Sequence, residues 1–275
     1  MTLKRALLPQ QIEMAAQYLM GLRVNRQPGE RMPESFRPIT VENGWQIQRR
    51  FAELKAAKTG GSIKAWKCGL PVLDKWVVAP IYSDSVSFSS PTESIAVASS
   101  ALRVELEFAF VLGKNLPARD LPYMPAEVDA AIGGTRFALE LIGGRYARPD
   151  EATFPEWLAD GLFNDGLILG PIVENLPEVP QFTLVVHAQN VDSIPIQTSY
   201  VACHSDSNPR LALYWLVEHL RKEGLGLQAG QAVITGALSG VIELPAPARI
   251  RMNFERFGEW TTTLLRTEQA APRES

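Results

Sequence analysis

The chain has 275 residues, 46% of them hydrophobic and 21% charged, the make-up of a globular protein that can bury a sizeable core as one large domain or two. Its 27 basic residues nearly balance 30 acidic ones for a formal charge of -3, and the basic ones are scattered. That excludes an electrostatic footprint for nucleic acid or an anionic membrane surface and leaves a small molecule as the default partner.

Cys68 and Cys203 match no metal or redox spacing and fit free thiols in a reducing compartment. The opening residues 1–5 carry no signal-like apolar region, and no apolar run reaches the ~20 residues of a membrane helix. A cytoplasmic protein is therefore expected.

Over residues 9–25, Ile12, Ala15, Ala16, Leu19 and Leu22 recur at helical spacing, and Pro9 suits a first helical turn. Residues 27–38 hold three prolines and read as a connector. A second helix follows Thr40, a good N-cap, and presents Trp45, Ile47, Phe51 and Leu54 before Gly60-Gly61 closes it. Residues 1–61 thus form a helical N-terminal region, expected to pack against the rest and act as a lid.

Strand character begins beyond Gly61. Residues 62–70 alternate with Ile63 and Ala65 inside, and Lys67 falls at the end of the run, where a solvated lysine is the ordinary case. The stretch from Val104 to Gly113 is rich in branched and aromatic residues, and strand parity puts Glu105 and Glu107 on one face while Val104, Leu106, Phe108 and Phe110 form an apolar opposite face. Carboxylates held that close raise each other's pKa unless a cation lies between them, and a hard divalent ion such as Mg2+ or Mn2+ is the obvious one. An edge strand with one solvated face would carry the same pattern.

A short helix is expected at 125–132. In the strand that follows, from Thr135 to Arg145, Glu140 sits among apolar residues, which is costly unless the carboxylate is paired or metal-bound. Glu140 is the natural third ligand. Beyond it come a helical turn at 154–158, a polar loop from Ala159 feeding a buried strand up to Pro171, a strand at 182–188, and a helix at 211–223 between Pro209 and Gly224. His219 reads as a surface residue of that helix, and His204 beside Cys203 shows no partner acid for a nucleophile. Further strands are expected at 233–237, 248–254 and 259–265. Many short strands with few helices argue for an α+β fold whose mixed, strongly curved β-sheet roll spans 62–267, with a frayed polar tail at 268–275.

Taken together, five stretches resemble the hydratase/decarboxylase branch of the fumarylacetoacetate hydrolase superfamily, typified by 2-hydroxypenta-2,4-dienoate hydratase and 2-oxo-3-hexenedioate decarboxylase of aromatic meta-cleavage pathways. They are Trp66-Lys67-Cys68-Gly69-Leu70, the Glu105-Leu106-Glu107 strand, Ala138-Leu139-Glu140-Leu141 followed by Arg145, Ala159-Asp160, and residues 227–238 with Thr235-Gly236-Ala237-Leu238. The resemblance implies a homo-oligomer and a Mg2+ or Mn2+ ion on Glu105, Glu107 and Glu140. It also implies catalytic roles for Lys67 and Asp160 and substrate contacts at Gly69, Leu70, Arg145 and Thr235. The segment after Leu70 is shortened, Gly144 stands where serine is common, and Gly161-Leu162-Phe163-Asn164-Asp165 replaces the family's Asn-x-Ser-Ser-Gly. The last change bears on substrate identity, because that loop would face the substrate.

The expected reaction is metal-dependent addition of water to a 2-hydroxy-2,4-dienoate, giving a 4-hydroxy-2-oxo acid. Decarboxylation of a 2-oxo-3-enedioate is the alternative, and since both pass through the same dienolate, metal ligands do not separate them. Apolar Leu162-Phe163, and no second cation beyond Arg145 for a distal carboxylate, favour hydration. The superfamily's carbon–carbon hydrolases use a histidine from the N-terminal half, whereas the histidines here are His187, His204 and His219. A 2-oxo-acid-binding protein without turnover is the other alternative, and it would need neither Lys67 nor Asp160.

Overall fold

A computed structural model describes residues 6–25, 28–73, 75–90, 93–97, 101–190 and 195–266; the tail expected at 268–275 lies outside them. In chain order the main elements are α1 (Pro9–Asn25), α2 (Val41–Thr59), β1 (Ile63–Val72), β2 (Lys75–Tyr82), β3 (Val86–Phe88), β4 (Ser94–Val97), β5 (Ala101–Leu112) and α3 (Pro125–Asp129). They continue with β6 (Ile132–Ile142), α4 (Phe154–Ala159), β7 (Asn164–Ile172), β8 (Gln181–Gln189), β9 (Ile196–Cys203), α5 (Arg210–Lys222), β10 (Ala232–Pro245), β11 (Ala248–Asn253) and β12 (Glu259–Arg266). Among the described residues no helix is long and apolar enough to cross a membrane.

The strands form a seven-stranded sheet, in the order β2-β1-β10-β5-β6-β7-β3, and a five-stranded sheet in the order β4-β12-β11-β8-β9. β5 is therefore central, hydrogen-bonded to β10 on one side and β6 on the other, which disposes of the edge-strand reading. Its apolar face does what parity demands. Val104, Leu106 and Phe108 pack between the sheets against Leu184, Ile250, Phe254 and Leu264, with Phe137 stacked on Phe254 at 3.9 Å. Further along, Phe110 and Leu112 meet Leu213, Leu216 and Leu220 of α5. The opposite face carries the glutamates among the alanines Ala65, Ala109, Ala138 and Ala232, with Ile81, Leu167, Leu169 and Ile234 in the same cluster.

The N-terminal helices begin and end for local reasons. Thr40 Oγ1 accepts the Asn43 amide at 3.1 Å, and Gly60, at φ 66°, closes α2 in the left-handed conformation that glycine adopts cheaply. Leu19, Met20, Ile47 and Phe51 then pack on Tyr82, Tyr146 and Ala159. The Gln48 amide ties α2 to the β-part by donating to the carbonyls of Val78, at 3.0 Å, and Leu158.

Three features differ from expectation. β9 was not foreseen: nearly all of its residues are exposed, so no buried face marks it as a strand. β10 runs well beyond residue 237, because bulges on either side of Ala237 break the alternation that reveals a strand. His219 is not a surface residue. Its ring stacks on Trp215 at 5.0 Å and meets Trp45 and Trp76 edge-on, at 5.0 and 5.1 Å.

Candidate metal centre

Sheet register gathers the three glutamates. Glu105 on β5 lies directly across from Glu140 on β6, and Glu107, two pairs further along, lies across from Ala138. Strand parity sends all three side chains to the face that carries these alanines. One carboxylate oxygen from each lies within 4.8 Å of the others. Glu107 and Glu140 are buried and Glu105 is partly exposed, so the cluster opens on one side only. β1 brings Lys67 beside it, with Nζ 2.9 Å from Glu140 Oε1 and 3.1 Å from the Leu162 carbonyl.

Two further groups hold the carboxylates. Asn164 donates through Nδ2 to Glu140 Oε1 at 2.8 Å, and the Gly236 amide donates to Glu107 Oε2 at 2.6 Å. Gly236 is free to do so because its bulge lifts it out of the β10–β5 ladder.

The electrostatics describe a site short of positive charge. Burial, and then the neighbouring Glu140, push the Glu107 carboxyl well above the usual range despite Lys67 and the Gly236 amide. Glu105 is raised too, by burial first, with Lys67 opposing and Glu140 adding. Burial pulls Lys67 down, but Glu140 and Glu107 outweigh it and hold the ammonium above its ordinary value. Glu140 Oε2 is buried with no hydrogen-bond partner, an arrangement that is expensive unless something outside the chain completes it. Three hard carboxylates, one of them with an orphaned oxygen, fit a Mg2+- or Mn2+-sized cation with coordination positions to spare.

The other expected site residues divide. Gly69 lies on β1 with the parity of Lys67 and stays partly exposed, but Leu70 turns to the other face and packs with the Trp45–Trp66 cluster. Thr235 is buried, with its hydroxyl 3.4 Å from His204 Nε2, so its side chain lines no open space. Asp160 and Arg145 are spent on each other. The Asp160 carboxylate accepts from Arg145 Nε at 2.7 Å and from the Arg145 amide at 3.2 Å, while Arg145 Nη2 donates to the Asp160 carbonyl and Nη1 reaches Asp165. Both are at least 94% buried, at 4% and 6% exposure, and their side chains are taken up by one another. They lock the loop. Leu162 and Phe163 do not face a substrate tail: Leu162 is buried in the α5-side core and Phe163 packs on Trp157.

Asn164, the Leu162 carbonyl, the Gly236 amide and His204 were not foreseen as parts of the site. Leu162 and Phe163 both adopt positive φ, 53° and 64°, which no residue type in the loop announces. Asn164 alone carried a signal, being a polar residue in a loop that feeds a buried strand.

Comparison with known proteins bears on this arrangement. A 2-oxo-hept-4-ene-1,7-dioate hydratase of Escherichia coli is 28% identical over 229 residues, covering 77% of this chain and 80% of that one. A 2-keto-4-pentenoate hydratase of Paraburkholderia xenovorans (strain LB400) is 25% identical over 243 residues, 85% and 87% of the two chains. A 4-oxalocrotonate decarboxylase of a Pseudomonas species is also 25% identical, over 228 residues, 83% of this chain and 79% of that one. Among solved structures, the fold matches 4-oxalocrotonate decarboxylase from Pseudomonas putida G7, complexed with magnesium and adipate, at a TM-score of 0.76 and 16% identity, over 95% of this chain and 100% of that one. Residues 73–265 match the family described as fumarylacetoacetate (FAA) hydrolase C-terminal, and since they take in Glu105, Glu107, Glu140 and the greater part of the chain, the protein belongs to that family.

Proposed function

We propose that Glu105, Glu107 and Glu140 hold one Mg2+ or Mn2+ ion in a hydro-lyase that adds water to a 2-hydroxy-2,4-dienoate, giving a 4-hydroxy-2-oxo acid in aromatic catabolism. The convergence of three carboxylates beside Lys67, with a buried Glu140 oxygen left unpartnered, carries the reading. When bound, the ion would polarise the 2-oxo group of a chelating acid. Lys67 supplies the remaining charge: its ammonium can neutralise the substrate carboxylate, and it stands 2.9 Å from Glu140 Oε1. Ketonisation of the dienol makes the double bond next to the carbonyl electrophilic, and water then adds at carbon 4. Each stage moves a proton, and Lys67 is positioned to carry it directly or through a water. A cytoplasmic homo-oligomer belongs to the same proposal, on the strength of the free thiols and of the family.

Decarboxylation of a 2-oxo-3-enedioate is the second reading, and one observation favours a substrate with a second carboxylate. Arg23 of α1 reaches the same loop, its Nη2 3.3 Å from the Asp160 carbonyl and 3.4 Å from that of Asn164. It forms no ion pair among the described residues, and burial, then Arg145, lowers its pKa.

Purified Mg2+-loaded protein offered a 2-hydroxypenta-2,4-dienoate and a 2-oxo-3-hexenedioate separates the readings. Loss of dienoate absorbance without CO2 supports hydration. CO2 released stoichiometrically from the enedioate overturns it, and inertness towards both points to a binding protein.

A further inference from the structure

We infer that His204 is a positioning residue for the metal centre: it anchors the Thr235–Gly236 peptide so that the Gly236 amide holds Glu107 in the orientation a cation requires. This rests on the metal-centre reading above.

The geometry is a short relay. The Asp206 amide donates to His204 Nδ1 at 3.1 Å, which makes Nδ1 an acceptor and leaves the proton of the neutral ring on Nε2. Nε2 lies 3.1 Å from the Thr235 carbonyl, to which it donates. That carbonyl and the Gly236 N–H are the two ends of one planar trans peptide and point in opposite directions. Holding the oxygen therefore aims the amide, and the amide ends on Glu107 Oε2 at 2.6 Å.

Neither end has a strand partner to fix it otherwise, because the register slips between the Ile234–Ala109 and Ala237–Glu107 pairs. Gly236 has φ 136°, where a side chain is strained, and a Cβ there would stand 3.2 Å from His204 Nε2. The imidazole fills the space beside the peptide as well as bonding to it. His204 is 5% exposed, so the contact is sheltered from competing water. A core histidine that merely satisfied its own nitrogens would leave Glu107 indifferent to it; here one rigid peptide unit joins ring and ligand.

The test titrates Mn2+ calorimetrically into chelator-stripped wild type and the variants His204→Ala, His204→Gln and His204→Asn, and records the melting temperature of each metal-free protein. Glutamine can place an N–H near the position of Nε2, whereas the shorter asparagine cannot. Loss of an outer group that orients a ligand weakens metal affinity by roughly ten- to a hundredfold, so His204→Ala and His204→Asn should fall in that range and His204→Gln should recover most of it. The metal-free glutamine and asparagine variants should melt close together, with the alanine variant lower because it leaves a cavity. Wild-type affinity in His204→Ala, equal weakening in the glutamine and asparagine variants, or failure of all three to fold would each overturn the inference. If only the alanine variant fails to fold, the glutamine–asparagine pair decides. Absence of Mn2+ binding by the wild type would instead sink the metal-centre reading itself.

Discussion

Replacing Lys67 by alanine should act differently with and without metal. The ammonium is 13% exposed and sits 2.9 Å from a fully buried glutamate, with a second buried carboxylate close by. Removing one partner of a buried ion pair costs about 3–5 kcal/mol, because the other charge is left uncompensated, and the lower end applies here because the Glu107 carboxyl, already raised by burial, can take up a proton. For a chain of this size about 1 kcal/mol corresponds to 2–4 °C in melting temperature, so the metal-free variant should melt roughly 6–12 °C below the metal-free wild type. Saturating Mg2+ supplies the missing positive charge and should close most of that gap, while turnover stays low because the ion cannot take over the contact with the substrate. Differential scanning fluorimetry in chelator and in Mg2+, with a turnover assay alongside, reads all three quantities. A metal-free variant as stable as wild type, or one that Mg2+ fails to restore, would refute the argument that Lys67 balances the carboxylates.

Asn164→Ala removes the donor to Glu140 Oε1 and should weaken Mn2+ binding by about tenfold in a calorimetric titration; unchanged affinity would take Asn164 out of the site. Asp160→Asn breaks the buried pair with Arg145 and should cost about 3 kcal/mol in urea unfolding while the folded fraction keeps its kcat. A stable Asp160→Asn protein with turnover down more than about a hundredfold would restore an acid–base role for Asp160. Glu156 is buried, and burial alone would raise its carboxyl, but bonds from Arg31 and Thr153 prevail and hold it below the ordinary 4.5. A depressed carboxyl stabilises the fold above its unfolded value and loses that contribution as pH falls through its folded value. The gap in melting temperature between wild type and Glu156→Gln should therefore be flat above pH ~5 and shrink below 4.5, and a gap that widens on acidification would reverse the sign of the argument.

What could be read from the sequence follows from how local each determinant is. Glu105 and Glu107 were legible because strand parity depends only on neighbours, and Glu140 because a lone carboxylate in an apolar strand needs a partner wherever the strand ends up. The caps of α2 were legible for the same reason. The engagement of Asp160 with Arg145 was not, since it depends on how the chain after β6 folds back on the end of α4, a tertiary fact that sequence spacing does not encode. Gly236 became a donor only through a bulge, and His219 was misplaced because its three indoles come from α2, β2 and α5. The domain boundaries at 61 and 267 remain an expectation of the sequence.

The proposed ligands ride on β5 and β6 in the middle of the seven-stranded sheet, whereas Leu162 lies in the turn that leads into β7 and Asn164 opens that strand. Central ladders open only when the whole molecule does, while surface turns open on their own at far lower cost. Amide exchange near Glu107 should then track global unfolding, and exchange in the exposed loop at 118–121 should be faster by orders of magnitude. A cation held by those glutamates would accordingly sit in the slowest-opening part of the fold.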